Sequence, residues 1–235
     1  MTIGIVYTDY RPGVMKAYIN YMQQFSSDVV LLMPNERRQI DLLLVGGGPD
    51  LNSTNRGYMK NLNSVSPYHG RTCPYQNFFF EFTLDWYIDN QTPIFGICLG
   101  AQVLASKFKS SLYAHIDGHV LPDAMHKIAV NAKWSKKLML QDTSFSVTSR
   151  HHQAVKELGP ELIPIAHHAI KDSQGVVEAF LHSSLPIAGV QSHPEDVHHI
   201  PGSYLHAKYG DLVGDPVSNS LFRYLLKLES VEIKI

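Results

Sequence analysis

A thiol flanked by glycines, and a histidine followed two residues later by a carboxylate, are the side chains of this sequence best suited to chemistry. The thiol stands in Thr92-Pro93-Ile94-Phe95-Gly96-Ile97-Cys98-Leu99-Gly100-Ala101-Gln102, the histidine in Ala188-Gly189-Val190-Gln191-Ser192-His193-Pro194-Glu195. A short apolar run ending in Gly-x-Cys-x-Gly has the composition of a nucleophile elbow, in which small neighbours permit a strained strand-to-helix turn that exposes the central side chain. Cys98 then sits at a helix N-terminus. There the helix dipole and a nearby imidazole favour the thiolate, the form that attacks a carbonyl carbon. His193 is the candidate imidazole. Glu195 is spaced to hold its ring in one tautomer and to stabilise the imidazolium.

Attack on an amide builds an oxyanion, and an oxyanion needs preorganised N–H donors. The amide of Leu99, directly after the nucleophile, is one candidate. The triple glycine of Gly46-Gly47-Gly48-Pro49-Asp50 supplies another, although the same turn also reads as a tight strand exit. It lacks the Lys-Ser/Thr of a P-loop and the spacing of a dinucleotide fingerprint. Gln102 follows Cys98 by one helical turn, so its amide can reach back over the mouth of the site. In Val147-Thr148-Ser149-Arg150-His151-His152-Gln153, the Arg150 guanidinium is the group best suited to a carboxylate, which it can bind bidentately.

These residues require a scaffold that brings distant segments together. Thr2–Tyr7, Asp28–Met33, Ile40–Val45 and Pro93–Ile97 read as strands, and Val14–Phe25, Asn77–Asp89 and Leu99–Phe108 as helices. The unbroken Leu/Val run before the triple glycine suits a strand covered on both faces. Phe78, Phe82 and Trp86 recur at four-residue spacing and predict the face of the 77–89 helix. Such βαβ alternation argues a doubly wound, mostly parallel sheet flanked by helices, with chemistry at the carboxyl ends of its strands. From Ser111 to Thr148 short alternating runs, such as Lys127–Val130 and Phe145–Thr148, predict an additional small antiparallel region. Leu162–Ala166, Val176–Leu181 and Ile187–Gln191 read as closing strands, and Asn219–Leu228 as a last amphipathic helix capped near Ser218. One domain over 1–235 is expected, with an irregular segment at 197–216 before that helix.

The charges nearly cancel, with 20 Lys and Arg against 21 Asp and Glu, which gives no support for electrostatic binding of nucleic acid or an anionic membrane. No apolar run approaches the roughly 20 residues of a membrane span. The opening Met1-Thr2-Ile3-Gly4-Ile5-Val6-Tyr7 reads as a first strand and not as a signal peptide. Two cysteines make no disulfide framework and imply a reducing compartment, hence the cytoplasm. Cys73 reads as an incidental thiol in a polar loop with no helix after it. The 13 histidines include the adjacent pairs His151-His152, His167-His168 and His198-His199, whose members would point to opposite faces of a strand. No His-x3-His spacing completes a site, so neither a metal nor a cofactor is expected.

The Gly-x-Cys-x-Gly-x-Gln and His-Pro-Glu blocks, at Cys98, Gly100, Gln102, His193, Pro194 and Glu195, resemble those of the class I glutamine amidotransferase superfamily. Ser149-Arg150-His151-His152-Gln153 is similar to the Ser-x-His-His-Gln segment of its γ-glutamyl hydrolase branch. The resemblance implies a flavodoxin-like fold and a Cys98-His193-Glu195 triad. It also implies an oxyanion hole from Leu99 with Gly47 or Gly48, and substrate contacts from Gln102, Ser149, Arg150 and His151. The activity it implies is hydrolysis of a γ-glutamyl amide, a small-molecule substrate, through a thioester on Cys98. A second reading is a glutaminase subunit that hands ammonia to a separate synthetase, and a third is a catalytically silent binding module.

Overall fold

The computed structural model describes residues 1–7, 12–50, 73–116, 125–169, 175–198 and 215–228. Five strands form the parallel half of a mixed sheet: β1 (Thr2–Val6), β2 (Asp28–Leu32), β3 (Leu42–Val45), β4 (Ile94–Ile97) and β11 (Ile187–Val190). Their order is β2-β1-β3-β4-β11. Between and after them lie α1 (Pro12–Met22), α2 (Pro74–Phe82), α3 (Leu84–Asp89), α4 (Leu99–Lys107) and α6 (Pro216–Leu228).

The sequence of β3, Leu-Leu-Leu-Val, shows why the sheet is covered on both sides. Leu42 and Leu44 enter one apolar cluster with Met15, Tyr18 and Tyr21 of α1 and Leu221, Phe222 and Leu225 of α6. Leu43 and Val45 point the other way, into a second cluster with Phe79 and Phe80 of α2, Leu84 and Tyr87 of α3, and Val103 and Leu104 of α4. Alternation along a strand sends successive side chains to opposite faces, so an all-apolar strand needs helices on both. This is the doubly wound α/β class expected from the sequence.

Register then places the loops. Val45 pairs with Gly96, and Ile97 with Val190, so β3, β4 and β11 end side by side. The chain leaves these three neighbouring carboxyl ends into Gly46–Gly48, Cys98 and Gln191–His193. That is the crevice in which such sheets place their chemistry.

Antiparallel strands continue the same sheet beyond β11. They are β10 (Val177–His182), β9 (Leu162–His168), β6 (Met125–Val130) and β7 (Ser144–Thr148), with β5 (Ser111–Tyr113) and β8 (Ala154–Glu157) attached through β10. The antiparallel region expected around Lys127–Val130 and Phe145–Thr148 is present, and those two runs pair with each other, with His126 opposite Val147 and Ile128 opposite Phe145. A short helix, α5 (Ala132–Lys137), lies between those two strands.

Two expectations are corrected. The helix read over 77–89 is two helices, parted at Thr83, whose hydroxyl donates to the Pro34 carbonyl at 2.6 Å. Its buried side carries Gln76, Phe79 and Phe80, whereas Phe78 and Phe82 are exposed. In a Phe-Phe-Phe run the spacing alone does not choose the face. Cys73 is not a loop thiol without a following helix: it is buried and directly precedes α2, which begins at Pro74. Of the irregular 197–216 segment, residues 199–214 lie outside the described residues.

Candidate active site

Cys98 is the residue at which β4 turns into α4. Its φ of 52° and ψ of −109° lie in a region that side-chain-bearing residues rarely occupy, at a cost on the order of 1–3 kcal/mol. Close packing enforces the turn. A Cβ on Gly100 would stand 2.0 Å from the Val45 carbonyl oxygen, and one on Gly96 would stand 2.7 Å from Leu104 Cδ1 and 2.8 Å from the Ala101 nitrogen. Backbone bonds fasten the residue on both sides. The Cys98 N–H donates to Val190 O at 2.8 Å, and the Gln102 N–H donates to Cys98 O at 3.0 Å. The side chain opens into a pocket lined by Val14, Tyr18, Gly47, Gly48, Arg150 and His193.

His193 lies beside Cys98 in that pocket, and a Cβ on Gly47 would touch both, 3.0 Å from His193 Cε1 and 3.3 Å from Cys98 Cβ. On the other side of the ring, Nδ1 lies 2.7 Å from Oε1 of Glu195, a carboxylate only 1% exposed. Nδ1 must carry a proton to donate to that oxygen, so Nε2 is the nitrogen left for the sulfur. Burial, the largest influence, and the Arg150 cation both lower the His193 pKa. The charges of Glu195 and Cys98, with the Cys98 hydrogen bond, outweigh them and raise it to about 10. The ring is therefore held as an imidazolium at neutral pH, able to give a proton to a leaving amine.

Arg150 binds the acids behind the histidine. Its Nη2 lies 2.7 Å from Asp196 Oδ1, 3.4 Å from Glu195 Oε1 and 3.0 Å from His193 Nδ1. The two cations stand 3.0 Å apart, and the carboxylates of Glu195 and Asp196 beside them offset their repulsion. Burial alone would lower the Arg150 pKa, but Asp196 and Glu195 raise it, so the guanidinium stays charged. Thr148 completes the support by donating its hydroxyl to His193 O at 2.8 Å.

The amide donors are arranged around the same pocket. Leu99 supplies the first helical amide after the nucleophile. A Cβ on Gly47 would lie 3.0 Å from His193 Cε1, 3.1 Å from Tyr18 Oη and 3.3 Å from Cys98 Cβ, so this glycine borders both Cys98 and His193. Its N–H donates to the buried Tyr18 hydroxyl at 2.8 Å. Gly48 instead packs against Gln76, whose amide nitrogen reaches the carbonyls of Gly46 and Gly47 at 3.5 Å.

Among the residues expected at the substrate, Arg150 is in the pocket wall, while Gln102, Ser149 and His151 are buried behind it. Gln102 donates to Gln153 O at 2.8 Å and to Gln191 Oε1 at 3.1 Å, joining α4 to the Arg150 turn. His151 Nδ1 lies 3.0 Å from Gln153 O. Pattern reading missed Tyr18, which looks like one more apolar residue of an amphipathic helix, and Asp215. The latter caps α6 by accepting from the Ser218 amide at 3.0 Å, and it also accepts from Ser192, next to His193, at 2.6 Å. An Asp three residues before Ser218 is a capping signal that was open to sequence reading.

The sequence profile of the Peptidase C26 family matches residues 11–195. The glutamine amidotransferase-like protein YvdE of Lactococcus lactis is 25% identical over 221 residues, covering 82% of this chain and 90% of that protein. The glutamine-hydrolysing GMP synthase of Thermococcus kodakarensis has a subunit that is 27% identical over 180 residues, 74% of this chain and 76% of that one. The crystal structure of a glutamine amidotransferase from Thermotoga maritima superposes with a TM-score of 0.60 at 14% identity, covering 97% of this chain and 98% of the other, a likeness of fold. With a profile match over most of its length and a fold of the same kind, the chain belongs to the peptidase C26 family, among the hydrolases and amidotransferases of the class I glutamine amidotransferase superfamily.

Proposed function

We propose that the protein hydrolyses a γ-glutamyl amide, glutamine or a γ-glutamyl amine, through a thioester on Cys98. The observation that carries this reading is the line from the Cys98 sulfur through the His193 ring to Glu195, bordered by Gly47 and Leu99. The sulfur attacks the amide carbon, forming C–S while the carbonyl electrons move onto oxygen. The backbone amide of Leu99, and that of Gly47 shared with the Tyr18 hydroxyl, stabilise that oxyanion. Its collapse breaks C–N, and His193 protonates the departing amine. Water then attacks the thioester, His193 takes a proton from it, and glutamate leaves with the sulfur restored. Glu195 keeps the ring oriented throughout. Arg150 is the cation in the pocket wall for the α-carboxylate of the substrate, with Gln102, Ser149 and His151 shaping the turn that carries it.

Similarity to part of a GMP synthase favours one second reading, a glutaminase that passes ammonia to a separate synthetase. Cys73 and Cys98 form no disulfide, which suits a reducing compartment, and the cytoplasm is the proposed location. Among the described residues no helix is long and apolar enough to cross a membrane.

The test is an assay of the purified chain on glutamine and on a panel of γ-glutamyl amines, with glutamate and ammonia followed separately. Cys98→Ala is expected to remove nearly all turnover while leaving the unfolding transition in place. A glutamine-like electrophile is expected to label Cys98 and spare Cys73, which lies outside the pocket. Labelling at Cys73, or full turnover by Cys98→Ala, overturns the reading. Turnover only when a synthetase is added would select the second reading.

A further inference from the structure

Away from the Cys98 pocket, three side chains from separate parts of the sequence converge within the antiparallel half of the sheet. His126 comes from β6, His151 from the turn after β7, and Glu178 from β10. One ligand atom from each lies within 4.8 Å of the other two. We propose that His126, His151 and Glu178 form a binding site for one divalent transition-metal ion of the zinc class.

The geometry of His151 is the first support. Its Nδ1 lies 3.0 Å from the carbonyl oxygen of Gln153, and a carbonyl only accepts, so Nδ1 carries the proton. Nε2 therefore carries the lone pair. A ring that donates one N–H to a backbone carbonyl and keeps its other nitrogen basic is the arrangement found at histidines that ligate metals. The carbonyl is itself fixed, because it also accepts from Gln102 at 2.8 Å.

Glu178 and His126 supply the second. The Glu178 side chain is 1% exposed, and burying a carboxylate is costly unless a cation or several donors face it. His126 Nε2 stands 2.9 Å from Glu178 Oε1, so a proton shared between them and a metal held by both are alternative occupants of one place. Two imidazole nitrogens and one carboxylate oxygen suit zinc and its neighbours better than magnesium or calcium, which prefer oxygen ligands. In a tetrahedral site with bonds of about 2.0–2.1 Å, donor atoms stand roughly 3.4 Å apart. The His126–Glu178 pair, at 2.9 Å, already stands closer than that, and His151 joins it from within 4.8 Å.

Sequence spacing carries no sign of such a site, since no local pair of ligands completes it. The three ligands become neighbours only through the β6-β9-β10 pairings and the turn after β7. A bound ion would clamp that turn, which also carries Arg150, onto the sheet.

The test uses the full-length chain with Cys98→Ser, which removes the pocket thiol as a competing ligand. Zinc chloride is titrated against a chromophoric chelator, and the unfolding temperature is followed with and without the metal. One zinc per chain is expected at micromolar or lower free metal, with a rise in unfolding temperature. Glu178→Gln and His126→Gln, made in the same background, are expected to weaken binding at least about tenfold and to abolish that rise. Absence of one-to-one uptake overturns the proposal. So does uptake of unchanged affinity in both variants, which would assign the metal to other histidines or to His193, Glu195 and Asp196. Should either variant fail to fold, cobalt(II) added to the Cys98→Ser chain decides. Visible d–d bands without thiolate charge transfer support the site, and a spectrum of hexaaqua cobalt alone overturns it.

Discussion

At the residue scale, the contact that bears most on the proposed chemistry is the one between Tyr18 and Gly47. The Gly47 amide, proposed to receive the oxyanion, already donates to a phenol oxygen at 2.8 Å. Burial first, and the charge of Glu195 next, raise the Tyr18 pKa well above its ordinary value, so the phenol keeps its proton. Its oxygen is occupied as an acceptor, which leaves the O–H to donate, and Tyr18 lines the same pocket as Cys98. In the proposed reaction the hydroxyl fixes the Gly47 amide and adds a donor next to where negative charge develops. Tyr18→Phe is expected to lower kcat about a hundredfold with a smaller change in KM, the signature of a donor felt mainly in the transition state. Steady-state kinetics on the best γ-glutamyl substrate, with denaturation curves to show an unchanged fold, checks this. A rise in kcat would instead identify the hydroxyl as a plug on the Gly47 amide.

At the element scale, the decisive unit is the β4–Cys98–α4 turn, pressed against the end of β3. Because a Cβ on Gly100 would meet backbone and not the tip of a flexible side chain, Gly100→Ala must push α4 away from β3 or distort the turn. A loss of about 1–3 kcal/mol in urea unfolding is expected, with activity falling further than stability, since the helix amides move relative to the sulfur. Wild-type stability in that variant would mean that the elbow tolerates a wider approach. This turn was legible in the sequence because its demands are local: two glycines, a reactive residue and an apolar strand. The strand β3 and the antiparallel character of β6 and β7 were legible for the same reason, through continuous apolarity and through alternation. The helix α5 was not. Its six residues, capped by the Asn131 side chain on the Lys133 amide at 3.0 Å, are too few to reveal a period. Neither β5 nor β8 was legible, since each is a short edge segment defined by its partner. The candidate nucleophile, base and orienter could be read from spacing, whereas Tyr18, Thr148 and the Ser192 contact of Asp215 depend on contacts between segments distant in sequence.

At the scale of the whole molecule, His193 stands on the seam between the two halves of the sheet. The parallel half supplies Cys98, Leu99 and Gly47, and the antiparallel half supplies Thr148 and the Arg150 turn that grips Asp196 at 2.7 Å. Asp215 ties the preceding Ser192 to α6 at 2.6 Å. The protonation of one buried ring is thereby linked to the packing of several elements, and stability must follow it. The native His193 pKa of about 10 lies above the roughly 6.5 of an unfolded chain. The native state therefore holds a proton over a range in which the unfolded state has released it. The resulting stabilisation is fully present below about pH 6.5 and is lost as pH rises through about 10. Urea unfolding is expected to show a decline on the order of a few kcal/mol between those limits. Glu195 is the carboxylate that raises this pKa, so Glu195→Gln is expected to be less stable at pH 6.5 and to lose less as the pH rises. The difference between the two proteins isolates the His193–Glu195 contribution from lysines and tyrosines that titrate in both. Parallel pH profiles would show that Glu195 does not hold the proton on His193, and a convergence of the two proteins near pH 10 would show that it does.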